Sequence, residues 1–179
     1  MRHPGWMTEV LIRKTRLGDG EGCARLWREM GALFAEMNPQ TFQVPAAEGL
    51  AEGFEKNNAA YRDAQDKVKL VAEVDGVLVG TVAASLHEPV GTSEKELQID
   101  LGRRRLHVDS LIVAGTHQRD GVGSALMRAV EEWGRAQGAE VIILETETNN
   151  PMSVPFYEQR MGFSAEAIVF RKEIDPSAS

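Results

Sequence analysis

Apolar and polar positions repeat along this chain with two periods, near 3.6 and near 2, and each change of period marks an element. Val10 to Arg13 reads as a short first strand. Asp19 suits a helix N-cap. After it Cys23, Leu26, Trp27, Met30, Leu33, Phe34 and Met37 share one helical face. Asn38-Pro39 ends that helix. Pro45 suits the first turn of a second helix, with Leu50, Ala51, Phe54 and Tyr61 inward. Lys69 to Val74 and Val77 to Ser85 read as strands joined by Asp75-Gly76, a two-residue hairpin signal. Residues 88–102 are polar and loop-like, and such a loop either covers a site or is plain surface. Arg103, Arg104 and Arg105 open the next strand.

Leu106 to Val113 reads as the central strand. Strict alternation puts His107, Asp109, Leu111 and Val113 on one face and Leu106, Val108, Ser110 and Ile112 on the other. Two polar residues on the face with Leu111 and Val113 need partners, so His107 and Asp109 are site candidates. A helix is predicted from Gly121 to Gln137, with Val122, Leu126, Ala129, Val130 and Trp133 inward and Gly138 as its stop. Val141 to Leu144 is a continuous apolar run, the pattern of a parallel strand buried on both faces. Asn149-Asn150-Pro151 starts a short helix through Met161, ended by Gly162. Ile168 to Ile174 reads as a last strand. Residues 1–8 and 175–179 read as tails of a single domain, 1–179.

The chemistry concentrates where the central strand passes into the long helix. Gly121 and Gly123 stand at that helix start. Glycine lets a ligand approach the backbone, and the first N–H groups of a helix point outward at its positive end. Such a start holds a phosphate or pyrophosphate. The dinucleotide fingerprint does not fit, because Leu126 stands where a third glycine belongs. The P-loop does not fit either, since no Gly-Lys-Ser/Thr triplet occurs.

The stretch resembles the acetyl-coenzyme A loop of the GCN5-related N-acetyltransferases (GNAT). That family shows an apolar strand end and then Gln/Arg-x-x-Gly-x-Gly/Ala. Here Val113 ends the strand, and Gln118, Gly121 and Gly123 fill the marked places. Asn150, Phe156-Tyr157 and Gly162-Phe163 match a second signature downstream. Gly115 and His117 depart from the pattern, standing where proline and an aromatic are frequent.

The resemblance implies a GNAT α/β fold: a mixed, mostly antiparallel sheet split at its centre, with helices on both faces. It implies transfer of an acetyl group from acetyl-CoA to a primary amine of a small molecule, peptide or protein. A non-catalytic acyl-CoA-binding regulatory module is the alternative. The cofactor would lie on Gln118, Arg119, Asp120, Gly121, Val122, Gly123 and Ser124, with its pantetheine arm along the backbone of Leu111, Ile112 and Val113. Asn150 would hold the pantetheine or the loop before the short helix. Tyr157 is the implied acid at the cofactor sulfur; without the resemblance it reads as a core aromatic. Glu145, Asp109 and His107 are the candidate bases.

Composition changes this picture little. Hydrophobic residues make up 42% and charged residues 26%, ordinary for a globular protein. No membrane-spanning run, no signal-peptide pattern and a single cysteine, Cys23, together suggest the cytoplasm. Cys23 itself reads as a small core residue, and no metal site is expected. A net charge of −7 argues against nucleic-acid binding. With Glu29, Glu36, Glu48, Glu52 and Glu55 on the two N-terminal helices, it suggests a cationic acceptor, although charge runs of this kind are usually solvated faces. The apolar face of the last strand suggests a homodimer.

Overall fold

A computed structural model describes residues 9–173. Ile174 and the predicted tails lie outside them. The chain divides into two compact units, Met1–Glu145 and Thr146–Ser179. The first holds β1 (Leu11–Lys14), α1 (Gly20–Met37), α2 (Leu50–Asp63), β2 (Lys67–Val74), β3 (Val77–His87), β4 (Arg105–Val113), α3 (Val122–Ala136) and β5 (Val141–Leu144). The sheet runs in the order β1-β2-β3-β4-β5. Its first four strands pair antiparallel, and β4 pairs parallel with β5. This is the mixed, mostly antiparallel sheet the sequence implied.

Helices cover both faces. On one, Cys23 and Leu26 of α1 pack with Val71, Leu78 and Ile112 of the sheet, and Trp27, Met30 and Phe54 close round them. On the other, Val122, Leu126, Met127 and Val130 of α3 are buried. Leu126 lies against Gly80, and Gly134 leaves room for Leu106. The β2–β3 turn places Asp75 at φ 49 and Gly76 at φ 80, the paired positive φ of a type I′ hairpin.

Local chemistry overrides several expectations. Asp19 stands at the α1 N-cap, yet its side chain caps nothing. It accepts from both Arg13 guanidinium nitrogens at 2.7 and 2.9 Å and from the Arg16 N–H at 2.7 Å. A bidentate pair in which both partners are charged outcompetes a cap whose donor is a neutral backbone N–H. Glu55 of α2 takes over that end of α1, accepting from the N–H groups of Gly18 and Gly20 at 3.2 and 3.0 Å. Pro45 lies before α2 rather than in it, because Gly49 at φ 69 is incompatible with a helix running through. Leu33, expected inward, is 39% exposed. No residue of β5 is fully buried, since among the described residues β5 ends the sheet and has only β4 beside it.

The second unit contains one α-turn, α4 (Ser153–Pro155), that widens into a π-turn, Phe156–Arg160. The Met161 N–H reaches the Phe156 carbonyl at 3.1 Å, and Gly162 at φ 77 stops the run. The predicted strand from Ile168 does not form among the described residues. A strand needs a ladder partner, and none pairs with this stretch. Ile168, Val169 and Phe170 are exposed, at 68, 81 and 91%.

Candidate active site

The site begins with one extra residue in β4. Ala83 of β3 pairs with Ser110, but Ala84 pairs with Val108, so Asp109 is bulged out of the ladder. The bulge corrects the alternation predicted from the sequence. Leu106 faces α3, whereas Ile112 faces α1, so the two do not share a face. Asp109 instead lines a cleft together with Ser110 and Ile112.

The bulge also marks where β4 and β5 part. Their pairing runs from Arg105↔Val141 to Val108↔Leu144 and stops there. β4 continues to Val113, paired with β3 alone among the described residues. On its other side the backbone edge of Leu111, Ile112 and Val113 is therefore free of any strand. One step beyond the last pair stand Asp109 on β4 and Glu145 after β5.

Beyond β4 the chain turns into α3 through residues whose backbone suits an anion. Arg119 has φ 70 and Gly121 φ 86. Among the described residues no side chain caps the start of α3, and the first helical bond runs from the Ala125 N–H to the Gly121 carbonyl at 2.9 Å. The N–H groups before it point out of the helix end. The Ser124 hydroxyl is buried there and has no hydrogen-bond partner among the described residues. Buried hydroxyls without partners are rare. Together these groups fit the pyrophosphate of coenzyme A. Gln118 ties the loop back to the strand, donating from Nε2 to the Val113 carbonyl at 3.4 Å. Glu29 fixes its beginning by accepting from the Gly115 N–H at 2.6 Å.

The cleft has a volume of about 460 Å³ and lies between α1, α2 and the sheet. None of Glu29, Glu36, Glu48, Glu52 and Glu55 lines it, and Glu48 lies before α2 rather than on it. Its charged residues are Asp109 and Lys69. Asp109 is the meeting point of three neighbours: His107 Nδ1 at 2.9 Å, the Ser85 hydroxyl at 3.2 Å and the Tyr61 hydroxyl at 3.4 Å. Burial, with the Asp109 charge and hydrogen bond added, pushes the Tyr61 phenol up to about 12. Lys69 is only 5% exposed. Its Nζ donates to Asn57 Oδ1 at 3.3 Å and stands 4.6 Å from the Phe54 ring centroid. Burial lowers its pKa, against a smaller opposing effect of Cys23 and Asp19.

The structure thus brings His107 and Asp109 into contact and sets Glu145 on the neighbouring strand end, exposed. Lys69, Tyr61 and Ser85 were not singled out from the sequence. The signal for Lys69 was available: a lysine between Val68 and Leu70, where positions 68–72 are otherwise apolar. Cys23 is buried and burial pushes its thiol up, in keeping with a core residue.

In the second unit Asn150 is buried, and its Oδ1 accepts from the N–H groups of Met152 and Ser153 at 3.0 and 3.1 Å. It fastens the entry to α4. Tyr157 packs edge-on to Phe156 and Phe163, with centroids 5.1 and 5.7 Å apart. Among the described residues nothing hydrogen-bonds its hydroxyl, and burial pushes the phenol up to about 12.

A split mixed sheet with an uncapped, glycine-flanked helix start beside the split defines an acyl-coenzyme A type of protein. The family model described as "Acetyltransferase (GNAT) family" matches residues 27–163, and the chain belongs to that family. Probable N-acetyltransferase family 8 member 5 of Mus musculus is 34% identical over 93 residues, which are 52% of this chain and 37% of that protein. The chain therefore spans well under half the length of this curated relative. Glucosamine-6-phosphate N-acetyltransferase from Arabidopsis thaliana superposes with a TM-score of 0.67 at 20% identity, covering 93% of this chain and 99% of the other. Aminoglycoside N-acetyltransferase AAC(6')-Iy, solved in complex with CoA, superposes at 0.66 and 17% identity, covering 96% and 99%. At such identities the likeness speaks for the fold.

Proposed function

We propose that this protein moves an acetyl group from acetyl-CoA to a primary amine of a small molecule, peptide or protein. The observation that carries the reading is the succession of three features. The Asp109 bulge and the end of β4–β5 pairing fall midway along β4, and the strand leads on from there to the uncapped start of α3. Acetyl-CoA supplies an activated thioester. The residues of this chain hold it and manage two protons. The N–H groups from Gly121 onward, the Ser124 hydroxyl and Arg119 take the pyrophosphate. The free backbone edge of Leu111, Ile112 and Val113 takes the pantetheine arm as a strand would, and one of its N–H groups stabilises the oxyanion.

An alkyl amine has a pKa of about 10.4 and arrives protonated. Glu145 takes that proton, while Asp109, already holding three donors, attracts the ammonium group. Tyr157 donates a hydrogen bond to the departing sulfur. The test is release of free thiol from acetyl-CoA with a panel of amines. Amine-dependent release is expected. Tight acetyl-CoA binding with no release for any amine would leave the regulatory-module reading instead.

The exposed Ile168-Val169-Phe170 stretch supports a homodimer in which a second copy covers it. Sedimentation should then give about twice the 19.7 kDa of one chain. A monomer at micromolar concentration would rule the dimer out.

A further inference from the structure

Lys69 has no role in the chemistry above, yet it is the cation of the cleft. Its ammonium carries three donors, and among the described residues a single acceptor, Asn57 Oδ1, meets one of them. No carboxylate pairs with it among the described ion pairs. The Phe54 ring at 4.6 Å adds a cation–π contact, which does not replace the hydration an ammonium loses on burial. A buried, under-partnered cation at a cleft wall is a demand for an anion.

The opposite charge lies across the same cleft. Lys69 pairs with Ala83, which pairs with Ser110, next to the bulged Asp109. Two strand spacings separate these positions, about 9–10 Å. Tyr61 spans the interval. Its ring centroid is 6.0 Å from Lys69 Nζ, and its hydroxyl donates to Asp109. The cleft therefore offers a cation near α2 and a carboxylate at the strand split, with Trp27 and Phe54 on the walls between.

We propose that the acceptor is a small amine that also carries a carboxylate, an amino acid or a close relative, with Lys69 as the residue that recognises the acid. The inference rests on the acetyl-transfer reading and adds the acceptor class to it. The ammonium of the acceptor goes to Asp109 and Glu145, beside the split. Its carboxylate goes to the two unused donors of Lys69. This ordering selects short zwitterions over simple cations: a polyamine would set a positive charge against Lys69.

The groups around Lys69 fix the pH dependence. Cys23 from α1, Asn57, Phe54 and Tyr61 from α2, and Asp109 from β4 line the cleft with it. Asp19 is the other charge acting on it, and Asp19 is held by Arg13. Burial lowers the lysine pKa, so the cation is present at low pH and is lost as pH rises through that lowered value. Preference for acidic acceptors should fade in the same direction.

The experiment compares matched acceptors in the thiol-release assay: free amino acids against their carboxamides and against the corresponding decarboxylated amines. The wild type should favour the acid at least tenfold in kcat/KM, and the ratio should fall as pH rises. Lys69→Met should bring the ratio towards one, and Lys69→Arg should keep most of it. A wild type that uses the amides or decarboxylated amines equally well or better overturns the proposal, whatever the variants do. So does a folded Lys69→Met protein, checked by circular dichroism, that keeps the wild-type ratio. Turnover confined to amines without an acid would refute this acceptor class and leave acetyl transfer standing. No thiol release with any amine would remove both.

Discussion

Replacing Tyr157 by phenylalanine isolates one hydroxyl and one question about its role. Burial raises this phenol to about 12, whereas a thiol leaves with a pKa of about 8.5. Complete transfer of the phenolic proton would run uphill by about 3.5 units, or ~4.8 kcal/mol at 1.36 kcal/mol per unit. A donated hydrogen bond carries no such deficit. Bonds of this kind to a charged group contribute about 1.5–3 kcal/mol, which is ~10–150-fold in rate. Tyr157→Phe should therefore lower kcat by one to two orders of magnitude, at the low end of the 10²–10⁴-fold scale of a lost general acid. The fold should not suffer. Nothing among the described residues depends on the hydroxyl, so its removal orphans no partner, and the Phe156 and Phe163 contacts remain. The measurements are thiol release at saturating acetyl-CoA, acetyl-CoA affinity by calorimetry, and Tm. Unchanged turnover where chemistry limits the rate removes Tyr157 from the mechanism. A loss beyond about 10⁴-fold would show that the hydrogen-bond account is too small.

Three further outcomes are expected. Gly123→Glu sets a bulky anion at the first turn of α3 and should weaken acetyl-CoA at least tenfold by calorimetry; wild-type affinity would mean that the cofactor lies elsewhere. Glu145→Gln should mainly lower kcat while Asp109→Asn mainly raises the acceptor KM, and the reverse pattern would exchange their roles. The chain has two tyrosines, and burial raises both to about 12. Ultraviolet titration of the folded protein should therefore show no tyrosinate near pH 10. Because both folded-state values lie above the unfolded value of about 10, their contribution to stability is complete below pH 10 and declines between roughly 10 and 12. A native titration step at pH 10 would contradict the burial of both rings.

Most elements could be read from local patterns because the deciding physics is local. Asp75-Gly76 needs only its own backbone freedom, and the spacing Val122, Leu126, Val130 needs only the helical period. The start of α3 was legible for the same reason, since Gly121, Gly123 and the first helical turn are contiguous. What escaped the sequence depends on partners far along the chain. Arg13 claims Asp19 and leaves the cap to Glu55, 36 positions later. Lys69 looks like one lysine in a strand until Asn57 and Phe54 are brought over it. The strand from Ile168 was predicted from its apolar face, but a face does not provide a ladder.

The bulge at Asp109 has a consequence of parity. An ordinary strand shows odd positions to one side and even positions to the other along its whole length. One surplus residue exchanges the two sets, so even-numbered Leu106, before the bulge, faces α3 and even-numbered Ile112, after it, faces α1. The strand is in effect two half-strands of opposite phase, spliced at Asp109, where the proposed reaction would bring acceptor and thioester together. Removing any single residue between Val108 and Ser110 would restore one phase throughout, turning Ile112 away from Cys23 and Leu26. A shortening of one residue at this place is then worse than a substitution. The length of β4 is as much a part of the site as its side chains.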